Sequence, residues 1–199
     1  MTIDIPGVPQ LEWINGEGTV EIRADGVLRI TAAAGVDWTN DAFGGAQQHA
    51  AKLLGFVASG DFSLSANAVV VGERSTFDAA VLAVWGDRDH WAKLCFEYSP
   101  QGEAMVVSVV TNEFSDDCNS TLVAEGAVHL RVTRYRAGWA FHSSVDGHSW
   151  DFVRIFRLAH DGPVSVGFLS QAPFGESCIA EFRNISYSAA TPADFRDGS

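Results

Sequence analysis

Lys93 and Glu97 fall in WAKLCFEY, a run otherwise made of strand-forming and apolar residues. A charge inside a strand is expensive to bury without a partner, so the pair marks either a structural ion network or a ligand site. Side chains alternate across a strand, which puts Trp91, Lys93, Cys95 and Glu97 on one face. Ala92, Leu94, Phe96 and Tyr98 take the other, which suits an inter-sheet core. Four residues of extended chain span about 13 Å, so Lys93 and Glu97 do not reach each other. Each needs a cross-strand partner or a ligand. A lysine, one or two carboxylates, amides and flanking indole rings form a set that suits a sugar. Aromatic faces stack on pyranose C–H surfaces, while carboxylates and amides bind hydroxyls directionally.

The other reactive residue types point elsewhere less well. The six histidines, His49, His90, His129, His142, His148 and His160, show neither HxH nor HExxH spacing, so no transition-metal site is read from them. His142 reads as a structural histidine. Asp87, Asp89, Asp116 and Asp117 are loop carboxylates without EF-hand spacing. Cys95 lacks a neighbouring base and reads as a buried, inert thiol. No glycine-rich phosphate loop joins a strand to a helix. No cofactor is expected.

Short strands separated by polar turns must position these residues. Phe77–Trp85, Trp91–Tyr98 and Ala104–Asn112 read as a meander linked by GDRDH and SPQGE. Pairing across SPQGE is expected to set Val106, Ser108, Val110 and Asn112 beside Glu97, Cys95, Lys93 and Trp91, so that Ser108 and Asn112 share the charged face. Further strands are expected at 128–135, 138–145, 150–157, 163–170 and 178–187, and a hairpin around Asp25-Gly26. Residues 35–48 read as an irregular loop. The segment QQHAAKLL favours helix by propensity, yet an extended run ending at Val57 fits the following Ser59-Gly60-Asp61 turn better. Strands of this length and spacing describe a sandwich or barrel rather than βαβ units. A single domain over residues 1–188 and a loose tail at 189–199 are expected.

Composition excludes some partners. A net charge of -12 with no basic cluster argues against nucleic acid and anionic membranes. No apolar run approaches a membrane span, and the N-terminus carries no signal-peptide pattern. Three cysteines without close spacing suit a reducing compartment, so a cytoplasmic location is expected.

The runs FDAAVLAV, WAKLCFEY, VVSVVTNEFSDD and FHSSVDGHSWDFVRIFRL resemble the regulation-of-enolase family (domain of unknown function 1349). Asp37-Trp38 upstream and Ser170, Pro173 and Phe182 downstream fit the same layout, so the resemblance covers most of the chain. Its most specific element is the spacing of Trp91, Lys93 and Glu97, followed by Val110-Thr111 and Ser115-Asp116. The chain departs from the pattern at Asp117, where Trp is expected, and at Val81, where Gly is expected; both bear on the groove rather than the fold. The resemblance implies an all-β, antiparallel two-sheet jelly-roll sandwich of the concanavalin A-like lectin/glucanase type, with a concave face and no established activity.

The expected function is lectin-like carbohydrate binding on the concave face, with Trp38, Asp78, Trp91, Lys93, Glu97, Thr111 and Asp116 as candidates. A glycoside-active enzyme using Glu97 is less favoured: retaining hydrolysis needs two carboxyls roughly 5 Å apart, and Cys95 and Ser99 flank Glu97 where a second would stand. A regulatory protein partner, which the family's name implies, is the remaining alternative.

Overall fold

The computed structural model describes residues 2–124 and 126–199. Its strands, numbered in chain order, form two large antiparallel sheets and one small one, and no helix occurs among the described residues. Among the described residues no helix is therefore long and apolar enough to cross a membrane. The eight-stranded sheet runs β1 (Thr2–Ile3), β2 (Leu11–Trp13), β7 (Leu53–Val57), β16 (Ser165–Gln171), β9 (Ala79–Trp85), β10 (His90–Tyr98), β11 (Ala104–Asn112), β12 (Phe114–Leu122). The seven-stranded sheet runs β15 (Asp151–Phe156), β14 (Gly138–Ser144), β13 (Ala127–Tyr135), β8 (Phe62–Val71), β17 (Ser177–Ser188), β4 (Leu28–Ala33), β3 (Thr19–Ile22). A hairpin of β5 (Trp38–Asn40) and β6 (Gln47–His49) forms the third. The jelly-roll sandwich expected from the sequence is what the chain adopts.

Alternation builds the core. Along β8, Phe62, Leu64, Ala66 and Ala68 are buried while Ser63, Ser65 and Asn67 are only partly so. They meet Leu82, Leu94, Phe96 and Phe168 of the other sheet in one apolar layer. Each fully buried Leu or Phe contributes about 1.5–3 kcal/mol relative to exposure. A second apolar cluster covers much of the opposite face of the eight-stranded sheet: Trp38, Ala51, Leu53, Ala79, Val81, Ala83, Trp91, Cys95, Val107 and Val109. That face is thus partly a core in its own right.

Three expectations about local structure are corrected. Residues 35–48 are not irregular, since β5 and β6 pair there, with Trp38 opposite His49. Burial drives this: the hairpin lays the Trp38 ring against Trp85, centroids 4.6 Å apart, and its indole N–H donates to Ala51 O at 2.9 Å. Asp116 and Asp117 are not loop carboxylates, since the polar run Phe114–Leu122 is a full edge strand. The β10–β11 register lies one residue from the expected one, pairing Glu97 with Met105, Cys95 with Val107, Lys93 with Val109 and Trp91 with Thr111. The turn sets it: Ser99 N donates to Glu103 O at 2.8 Å, and Gly102 takes the left-handed conformation (φ 81°). Ser108 consequently faces the inter-sheet core, where its hydroxyl has no partner among the described residues. Asn112 lies opposite His90, away from the charged face. Residues 189–199 lie against the seven-stranded sheet, with Arg131 donating to Gly198 O at 2.7 Å and Phe195 beside Tyr135.

Candidate functional site

Lys93 projects from β10 on the face turned away from the inter-sheet core, between Ala83 of β9 and Val109 of β11. Its Nζ donates to Asp37 Oδ1 at 2.7 Å, Trp38 O at 2.8 Å and Gln171 Oε1 at 2.9 Å. All three ammonium protons are thereby used. Burial opposes the charge, but the Asp37 carboxylate outweighs it and holds the lysine above its ordinary pKa. Gln171 carries the network on, donating from Nε2 to Phe77 O at 2.9 Å. Phe77 is a bulky residue at φ 65°, a costly conformation that persists where surrounding contacts fix it.

Glu97 stands two strand positions beyond Cys95 on the same face. It is only 8 % exposed and accepts no hydrogen bond among the described residues. Burial pushes its carboxyl up to about 7; Lys93 opposes the rise, and Asp37 and Asp117 add to it. Near neutral pH it is divided between an acid that donates a proton and a carboxylate that accepts only. It faces a hollow of about 120 Å³ whose walls include Asp37, Lys93, Phe77, Gln171, Val107 and Asp117. Asp117 lies opposite Val109 on β12, and its pKa is raised, chiefly by burial.

The sequence candidates divide sharply. Lys93 and Glu97 share the hollow, and Trp38 contributes to its wall. Trp91 does not offer a stacking face. It is fully buried, with its indole N–H on Arg88 O at 3.2 Å. Trp38 is nearly as enclosed. Thr111 is buried and shares a hydrogen bond with the Ser115 hydroxyl, which in turn accepts from Asn40 N. Asp78 does not line the hollow: its Oδ2 accepts from Ser75 N at 2.8 Å, Gly175 packs against it, and burial raises its pKa. Asp116 lies opposite Val110, on the other side of the strand from Asp117, and pairs with Arg154 at 2.9 Å. That ion pair joins the edge strands β12 and β15 of the two sheets.

Sequence reasoning missed Asp37, Gln171, Phe77 and Asp117 as site residues. The alternation within FSDDCNST could have found Asp117, since adjacent aspartates in a strand must face opposite ways. Nothing local marks Gln171. Asp37 stands out in the sequence only as the neighbour of Trp38, which assigns it no role.

The chain belongs to the family described as Protein of unknown function (DUF1349), whose model matches residues 13–190. No curated protein matches it. Among solved structures, a functionally unknown protein from Saccharomyces cerevisiae is similar at 25% identity and a TM-score of 0.80, over 90% of this chain and 96% of that one. A xylan beta-1,4-xylosidase from Bacillus halodurans is similar at 17% identity and TM-score 0.70, over 93% of this chain but 38% of that one. The carbohydrate-binding module CBM66 from Bacillus subtilis is similar at 12% identity and TM-score 0.55, over 88% and 94%. These likenesses establish the β-sandwich fold.

Proposed function

We propose that the protein binds a carbohydrate in the hollow between Lys93 and Glu97. The observation that carries the reading is Glu97 itself: a largely buried side chain whose carboxyl faces the hollow and accepts no hydrogen bond among the described residues. Buried polar groups are nearly always hydrogen-bonded, and sugar hydroxyls both donate and accept, so they suit either protonation state of Glu97. The fold adds a compatible frame, since similar structures include a carbohydrate-binding module and part of a xylosidase. Three carboxyls against one lysine favour a neutral or amino sugar over an acidic one. The hollow is smaller than the roughly 300–1,000 Å³ of drug-sized sites, which suits one sugar residue or a chain end. The unpaired cysteines fit the cytoplasmic location expected from the sequence.

Calorimetric titration with neutral mono- and disaccharides tests the reading. Binding is expected, with Glu97→Gln weakening it by more than about tenfold. No heat at tens of millimolar of any sugar overturns it. Release of reducing sugar during the titration would move the protein to the glycoside-active reading, in which a carboxyl held near neutral pH serves as general acid. The regulatory reading rests only on the resemblance drawn from the sequence, since the family that matches is described as of unknown function.

A further inference from the structure

At the other end of β10, the structure brings a distant histidine to a local Asp–His pair. His90 opens the strand, Asp87 lies in the preceding turn, and His160 comes from the loop between β15 and β16. His90 Nδ1 lies 2.8 Å from Asp87 Oδ1, and His160 Nδ1 lies 3.3 Å from Asp87 Oδ2. The three donor atoms fall within 4.8 Å of one another. We propose that Asp87, His90 and His160 form a binding site for a first-row divalent cation such as zinc.

The geometry fits the chemistry. Two imidazoles on one tetrahedral ion place their ring centroids about 5 Å apart, and those of His90 and His160 are 5.6 Å apart, tilted by 35°. Two histidines and one carboxylate are a borderline donor set that suits zinc and its neighbours and leaves positions open to water. The rings are also held. A Cβ on Gly86 would come within 2.8 Å of the His160 ring, and one on Gly162 within 2.7 Å, so glycine at both positions leaves room for the imidazole. Asn112, opposite His90 in register, fixes the His160 loop by accepting from Ala159 N at 2.7 Å and donating to Arg157 O at 3.2 Å. Such outer contacts orient ligands before an ion arrives. Each histidine binds through the Nδ1 lone pair, which requires the neutral tautomer that carries its proton on Nε2. The cation then takes the carboxylate.

Chelator-treated full-length protein titrated with Co²⁺ should develop visible d–d absorption that saturates at one equivalent and is displaced by Zn²⁺. His160→Gln and His90→Gln should each weaken Co²⁺ binding by more than about tenfold, and His148→Gln should leave it unchanged. No uptake of Co²⁺ or Zn²⁺ at millimolar concentration, or undiminished uptake in both site variants, overturns the proposal. Should a variant misfold, imidazole nitrogen shifts of the wild-type protein decide. Zn²⁺ must move those of His90 and His160 and spare the other histidines; any other pattern refutes the site.

Discussion

Lys93 Nζ and Asp37 Oδ1 lie 2.7 Å apart although 56 residues separate them in the chain. The lysine side chain is 4% exposed and the aspartate 18%. This contact anchors the segment before β5 to the middle of β10, and so holds the Trp38 hairpin over the sheet. Breaking a buried ion pair leaves an uncompensated charge and costs about 3–5 kcal/mol. Lys93→Met and Asp37→Asn should therefore each destabilise the protein by about 3 kcal/mol. The double variant should lose less than the sum, as residues of one network do. Urea unfolding of the four proteins measures the cycle, and strict additivity would disprove the coupling.

Glu97 gives stability a particular pH dependence. Its carboxyl titrates at about 7 in the folded protein, against 4.5 ordinarily. Between those values the folded state holds the proton and the unfolded chain does not. Its contribution is therefore fully present below about pH 4.5 and is lost as pH rises through 7. Glu97→Gln should remove this fall and raise stability at pH 8 by as much as about 3 kcal/mol. Melting temperatures of the two proteins across pH 4.5–8.5 would test this; parallel curves would rule it out.

Glu181 behaves in the opposite sense. Its burial favours the neutral acid, but hydrogen bonds from Arg29, Arg183 and Arg23 outweigh that and bring its pKa down to about 2. Its stabilisation is present above the ordinary carboxyl range and disappears as pH falls toward 2. Glu181→Gln should cost about 2 kcal/mol at pH 7, with the difference from wild type shrinking in acid. Chemical denaturation at pH 7 and pH 3 provides the comparison.

The cysteines should separate by reactivity. Cys95 and Cys178 are buried and Cys118 is exposed. Burial pushes the Cys95 thiol well above its ordinary pKa and Cys178 up to about 11. Ellman's reagent at pH 8 should label Cys118 quickly in the native protein and all three cysteines in denaturant. Rapid labelling of a Cys118→Ser variant without denaturant would contradict the burial.

The sequence made the sandwich legible because its strands announce themselves locally. FSLSANAVVV, HWAKLCFEY and AMVVSVVTN each carry alternation or β-branched density that nothing else explains. The charged face was legible for the same reason, since Lys93 and Glu97 interrupt apolar sequence. Register was not: it depends on how many residues the SPQGE turn consumes, and one residue there moved Ser108 and Asn112 off the face. The Trp38 hairpin escaped notice because its pairing rests on a ring buried against Trp85 and Trp91 from distant strands. Asp87, His90 and His160 escaped for a similar reason. Spacing rules find ligands that share an element, and here a loop 70 residues later supplies the third.

The alternation of Asp116 and Asp117 on β12 has a further effect. β12 ends the eight-stranded sheet, so its outward backbone groups form an open template onto which another chain could add. A nine-residue rim of this kind would ordinarily invite polymer growth. Here the two faces of the strand carry Asp116, paired with Arg154, and Asp117, and a second copy laid edge to edge would bring its own aspartates alongside under a total of -12 per molecule. Asp117, a wall residue of the hollow, thus also stands on the rim to which any further strand would have to add.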